Sequence, residues 1–378
     1  MDQPLPKRPH ILFLFSDTGG GHRSAAEAVR EAVYLEFGDR IATDMVDFFQ
    51  EYAPLFFRKL ADWYPVMVRY PRAYGWGFHL LDSRRRAEFV NETAWPYVRR
   101  AARRFLVENP SDLLVSFHPV AVGPLLRVSD TERPPFVAVV TDMVTTHALW
   151  FNPRATLCVV PTQAAQQRAL GCGMSPEQVQ IIGLPVSDRF CQPIGDRHVL
   201  RQQLGWPQDQ AVILLVGGGD GMGPLEEMAS AIAGAGIQAT LVIIAGRNAK
   251  LKERLEARSW PMPTQIHGFV NDMPAFMQAA DVLVTKAGPS TICEAFNAGL
   301  PMVIFGHLPG QEEGNVSYAV EEGAGVWAPH PDLIVSALQN WIEHPDQRAK
   351  AAAACRRLAR PDAARQIAHL LAGLVGLE

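Results

Sequence analysis

The stretch DVLVTKAGPSTICEAFNAG, residues 281–299, decides the fold. An apolar run from Val282 to Val284 leads through Lys286 into a turn at Gly288 and Pro289, and Ser290 and Thr291 then open a helix. A strand that hands over to a helix through a glycine turn is the building unit of a parallel sheet covered by helices. The N-terminus of such a helix also offers unpaired N–H groups and a positive dipole end to an anion.

Outward from this stretch the same alternation recurs. Apolar runs at Ile11 to Phe15, Leu113 to Phe117, Phe136 to Val140 and Leu157 to Val160 form one series, and Val212 to Val216, Thr240 to Ala245, Val282 to Val284 and Met302 to Phe305 form a second. Amphipathic segments separate them, so the expected class is α/β, with two Rossmann-like doubly wound domains. A chain of 378 residues exceeds the size at which single cores stop growing, which agrees with two domains. Gly183 to His198 is rich in Gly, Pro and polar residues and reads as the linker. The expected domains are therefore 1–192 and 193–378, with the last helices able to pack back on the first.

Composition narrows the function. A hydrophobic fraction of 48%, 20% charged residues and a formal charge of −4 give no reason to expect a nucleic-acid partner. Five scattered cysteines without a C-x-x-C spacing fit neither a disulfide framework nor a zinc site, and imply a reducing cytoplasm. No apolar stretch approaches the ~20 residues of a spanning helix, so any membrane contact is expected to be peripheral.

One segment breaks the alternation. Eleven aromatics lie between Phe48 and Phe78, where the chain average of 9% supplies about three. Between Arg58 and Arg104 there are eleven Arg or Lys against four acids, a local +7 in a chain of −4. Rings such as Trp63 and Trp76 beside Arg84, Arg85 and Arg86 suit the interface of an anionic membrane. The alternative is ordinary packing of these aromatics on the first domain, with arginines on the solvated faces.

Three motifs carry chemistry. In SDTGGGHRSAAEAV (Ser16 to Val29) the glycines Gly19, Gly20 and Gly21 let backbone approach a ligand, and His22 stands at the carboxyl edge of the first strand, suited to proton transfer. A loop histidine that only hydrogen-bonds the turn is the other reading. Ser24 and Glu27 have capping-box spacing, and the missing third glycine disfavours a nicotinamide fingerprint. In GGGDGMGP (Gly217 to Pro224) Gly219 sits where a diphosphate can meet a helix N-terminus. In the third motif Glu294 can accept from both ribose hydroxyls, or close a capping box with Thr291, and the spacing leaves both open. Gln311, Glu312 and Asn315 follow the next strand, a polar cluster that suits a polyhydroxylated ligand. His118 and Asp142 also end strands of the first domain. His118 is a candidate for the acceptor pocket or a turn cap, and Asp142 is the rival base or the group that orients His22.

Taken together, SDTGGGHRSAAEA, VSFHP, VTDMVTTHALWF, GLPV, KAGPSTICEA and PGQEEGN resemble the monogalactosyldiacylglycerol synthases and the related bacterial diacylglycerol glucosyltransferases, in order from about Ile11 to Val326. The resemblance implies the GT-B fold, with two Rossmann-like domains facing a central cleft. It implies a UDP-sugar donor, diacylglycerol as acceptor, inversion at the anomeric carbon, and no cofactor or catalytic metal. The hexose is expected to be galactose, with glucose open. Residue by residue, the resemblance gives His22 as the catalytic histidine, Gly288, Pro289, Ser290, Thr291 and Glu294 as diphosphate and ribose contacts, and Gln311 with Glu312 as the sugar-binding pair. Arg247 in AGRN and Phe269 in HGFV fall near the diphosphate and uracil. Ser290 and Cys293 depart from the family pattern, where smaller residues are expected. Retaining enzymes of this fold show a second Glu eight positions after the first, and Met302 stands there, which favours inversion. The expected location is the cytoplasmic face of a membrane. A UDP-sugar epimerase and a non-catalytic lipid- or nucleotide-binding protein are the competing functions.

Overall fold

The computed structural model describes residues 8–16, 20–53, 71–128, 131, 133–221 and 223–377. Trp63 lies outside the described residues, as does Gly19. The chain forms two compact units. The first comprises residues 1–188, 309–311 and 362–378, and the second 189–308 and 312–361, so the expected boundary after 192 falls four residues into the second unit.

The first unit carries a parallel six-stranded sheet made of β1 (His10–Phe15), β2 (Ala42–Asp47), β3 (Leu113–Ser116), β4 (Phe136–Val139), β5 (Leu157–Val160) and β6 (Val179–Ile181), in the order β2-β1-β3-β4-β5-β6. The second carries β7 (Ala211–Val216), β8 (Ala239–Ile244), β9 (Thr264–His267), β10 (Val282–Lys286), β11 (Met302–Gly306) and β12 (Gly325–Trp327), in the order β12-β11-β10-β7-β8-β9. Both sheets are doubly wound. Strand order reverses between β1 and β3 in one and between β7 and β10 in the other, and ligands of such sheets bind at the carboxyl ends beside the reversal. Each of those four strands ends in one of the motifs singled out above.

Burial explains why the strands read as apolar runs. Along β1, Leu12 and Leu14 join one core cluster, while Ile11, Phe13 and Phe15 join another on the opposite face. The first cluster is closed by α1 (Phe48–Tyr52) and α2 (Arg84–Glu108), through Phe48, Ala102 and Phe105. Phe49 and Tyr52 pack against the same cluster. Of the six described aromatics in this segment, Phe48 is buried in the core and Phe49 and Tyr52 pack against it, as the packing alternative expects. The opposite face is closed by α3 (Gly21–Phe37) and α4 (Ala363–Leu374), whose Ile367, Ala368 and Leu371 are fully buried beside Phe13.

Both expected capping boxes are absent. α3 starts at Gly21 with Gly20 as its N-cap in the left-handed region (φ 78°), and Glu27 pairs with Arg23 at 2.9 Å. The helix of the 281–299 stretch, α5 (Pro289–Ala298), starts at Pro289 with Gly288 as N-cap and no side-chain cap. In each case the helix begins earlier than the Ser/Thr spacing predicts. The first N–H groups are left to the glycine turn rather than to a capping hydroxyl.

Candidate active site

In the first unit the carboxyl ends of three neighbouring strands converge. His22 follows β1, His118 follows β3, and Thr141 and Asp142 follow β4. His22 Nδ1 lies 2.7 Å from Thr141 Oγ1, and its ring meets His118 edge to face with centroids 4.6 Å apart. Trp150 is 6.1 Å away on another side. Burial among these groups lowers the His22 pKa to about 4, against a raising hydrogen bond to the Phe117 backbone. Burial, then repulsion from His22, pushes His118 well below the ordinary histidine value. Both rings are neutral at neutral pH, so the His22 ring can accept a proton there.

His118 takes the turn-cap role expected of it. It caps the helix Pro119–Leu126 by accepting from Val120 N, and it stands against the His22 ring. Asp142 is buried, and its carboxylate accepts from Trp150 Nε1 at 2.6 Å and from Gln311 Nε2 at 2.7 Å. The group at His22 Nδ1 is thus Thr141, one residue before the Asp142 that the sequence singled out. Tyr74 donates its hydroxyl to Gln311 Oε1 at 2.9 Å.

In the second unit the remaining candidates gather at the carboxyl ends of β7 to β11. Arg247, after β8, stacks over Phe269, after β9, with its guanidinium 4.6 Å from the ring centroid. The Arg247 backbone N–H donates to Gly219 O at 2.8 Å, and its side-chain Nη1 donates to Asp220 Oδ1 at 3.4 Å. Arginine and ring are both largely exposed, a platform on which a planar base or an anion can rest. Gly288, Pro289, Ser290 and Thr291 form the first turn of α5, and burial lifts the half-buried Glu294 carboxyl to about 7.

Gln311 and Glu312 hold different partners. Gln311 groups with the first unit and bonds Asp142 and Tyr74, whereas Glu312 lies in the second and is buried. Glu312 Oε1 accepts from Lys286 Nζ and Oε2 from Leu308 N, both at 2.7 Å. Asn315 is buried as well and donates to Ala287 O at 3.0 Å, which braces the turn before α5. Lys286 and Thr141 had no role in the sequence reading. Their only signal was adjacency, Lys286 opening KAGP and Thr141 preceding Asp142.

The membrane candidates stand on α2 and on the helix Pro71–Leu81 before it. Trp76 is 71% exposed, and Phe89 and Tyr97 are 65% and 71% exposed. Arg84 pairs with Glu88 and Arg86 donates to Leu80 O, while Arg85 is exposed among them.

Two doubly wound parallel sheets, each with its candidate residues at the carboxyl edge beside the strand-order reversal, are the architecture of the GT-B fold. The solved structures agree on the fold. HepE of Anabaena in complex with UDP aligns with a TM-score of 0.56 at 19% identity, covering 96% of this chain and 100% of that one. MurG of Acinetobacter baumannii aligns at 0.62 and 15% identity, covering 97% and 99%. The monogalactosyldiacylglycerol (MGDG) synthase model matches residues 22–186, and the glycosyltransferase family 28 C-terminal domain matches 212–367. Monogalactosyldiacylglycerol synthase 1 of Arabidopsis thaliana is 34% identical over 382 residues, 98% of this chain and 71% of the relative. The chain belongs to the monogalactosyldiacylglycerol synthase family and is an enzyme, a glycosyltransferase. The epimerase and non-catalytic alternatives fall away with that membership.

Proposed function

We propose that this enzyme transfers galactose from UDP-galactose to the free hydroxyl of 1,2-diacylglycerol, with inversion at the anomeric carbon. The observation that carries the reading is His22, a neutral imidazole at the strand-order reversal of the first sheet, anchored to Thr141. A glycerol hydroxyl is a poor nucleophile, so a base must take its proton as the oxygen attacks the anomeric carbon from the face opposite UDP. Neutral His22 is that base. Negative charge growing on the departing diphosphate is met by the N-terminus of α5 and by Arg247, without a metal in this reading. Uracil is assigned to the Arg247–Phe269 platform and the ribose to Glu294. UDP as the nucleotide is supported by the family and by the HepE complex.

Among the described residues no helix is long and apolar enough to cross a membrane. We assign membrane contact to the exposed face of Trp76, Phe89, Tyr97 and Arg85, resting peripherally on the cytoplasmic side of an anionic bilayer. The test is a donor screen with purified enzyme on diacylglycerol vesicles, following UDP release and identifying the lipid product. UDP-galactose as the productive donor, with release dependent on diacylglycerol and a β-linked product, supports the reading. Preference for UDP-glucose, or UDP release indifferent to the lipid, sinks it.

A further inference from the structure

Lys286 ends β10 at the reversal point of the second sheet, and its side chain runs between two glycine turns. A Cβ added at Gly218 stands 3.7 Å from its Cε, and one added at Gly288 stands 3.3 Å from Nζ. Those two turns precede the helices Leu225–Gly234 and α5. The ammonium therefore occupies the gap into which the N-terminus of α5 opens. Among the described residues Nζ has one partner, Glu312 Oε1 at 2.7 Å. An ammonium carries three N–H donors, so two remain for a ligand. It keeps 23% of its side-chain surface, against 7% for Glu312.

Glu312 is held from both sides. With Oε2 on Leu308 N and Oε1 on Lys286, the carboxylate is a fixed strut whose position sets that of the ammonium. A glycine at 288 keeps the route to Nζ open, because any side chain there would stand between the turn and the ammonium.

We infer that Lys286 is a diphosphate-binding residue of the donor site, held in place by Glu312, which acts as a positioning residue. The inference rests on the assignment of a UDP-sugar to the second unit. In it, two free N–H groups of Lys286 meet the phosphate nearest the turn at Gly288, and the Glu312 contact persists. An anion flanked by a helix N-terminus and an ammonium is bound more tightly than by either alone. Uridine, which has no phosphate, is indifferent to Lys286.

The experiment is calorimetric binding of UDP, UMP and uridine to wild type, Lys286→Met, Lys286→Arg and Glu312→Gln. Lys286→Met is expected to bind UDP about tenfold or more weakly, as for a lost charged hydrogen bond, with uridine affinity unchanged. Lys286→Arg keeps most of the UDP affinity, and Glu312→Gln loses part of it, with no added loss in the double variant Lys286→Met/Glu312→Gln. Uridine binding serves as the check on folding. Undiminished UDP affinity in Lys286→Met overturns the inference, and so does an equal loss for uridine in a variant that melts like wild type. A wild type that binds uridine but gains nothing from the phosphates overturns it while leaving the platform intact. A wild type that binds none of the three overturns the donor assignment and the inference with it.

Discussion

His22 and His118 meet edge to face, 4.6 Å between ring centroids with planes at 71°, at the carboxyl ends of two neighbouring strands. Two imidazoles this close and this poorly hydrated are held neutral together, since protonating one raises the cost of protonating the other. In the proposed reaction the pair supplies a base with a neutral neighbour.

Replacing His22 by Ala is expected to lower kcat by about 100-fold, the scale of a lost general base, with UDP affinity unchanged. The pH profile gives a second check. With the His22 pKa lowered to about 4, the ring is deprotonated and competent above that value, so its acid limb in kcat/KM lies near pH 4 rather than 6.5. An acid limb near 6.5 that disappears in the Ala variant contradicts the half-buried, neutral histidine.

The same burial makes stability depend on pH. A folded pKa below the unfolded value of 6.5 means that the unfolded chain takes up protons first as pH falls. The contribution is complete above 6.5 and is lost progressively on the way to about 4. For His22 that amounts to at most about 3 kcal/mol. Thermal melts between pH 7.5 and 4.5 are expected to show a falling Tm, with a shallower fall in His22→Ala. Parallel curves for the two proteins count against it.

Glu294 runs in the opposite sense. Its pKa is raised from 4.5 to about 7, so the folded state pays for the charge fully above pH 7 and not at all below 4.5. Glu294→Gln is expected to raise Tm at pH 8 and leave it unchanged at pH 4.5. Glu294→Ala is expected to weaken UDP binding by about 1.5–3 kcal/mol, the loss of charged hydrogen bonds to ribose. Unchanged UDP affinity in the Ala variant removes Glu294 from the donor site.

On the proposed membrane face, replacing Arg84, Arg85 and Arg86 by Ser is expected to reduce binding to anionic vesicles and to flatten its salt dependence, with UDP affinity intact. Arg85 alone is expected to account for most of the loss, because Arg84 is drawn to Glu88 and Arg86 to helix carbonyls. Trp76→Ser weakens the part of binding that survives high salt. A triple variant that binds anionic vesicles like wild type rejects the assignment.

Eight of the twelve strands among the described residues were legible as apolar runs, and they are the eight interior strands. The four missed, β2, β6, β9 and β12, are the sheet edges. Interior parallel strands are buried on both faces and select apolar residues at every position, whereas an edge such as β2 (ATDMVD) is half solvated and carries its polar residues openly. The site divides similarly. Glycine turns and His22 announce themselves because few residue types can occupy them. The capping boxes misled because Ser/Thr-x-x-Glu also fits the first turns of a helix begun by glycine. Thr141 and Lys286 become visible only when distant turns are brought within 3 Å, and the different partners of Gln311 and Glu312 could not be read from their adjacency.

The helix α4 seals one face of the first sheet, yet it is encoded some 170 residues after the first unit's main segment ends at Asp188. On the ribosome, β1 and α3 emerge early with Ile11, Phe13 and Val33 uncovered, and they stay so until residues 363–374 have been made. The sheet translated first is finished last. A fragment ending at 188 would therefore present a greasy, aggregation-prone flank instead of a free-standing domain.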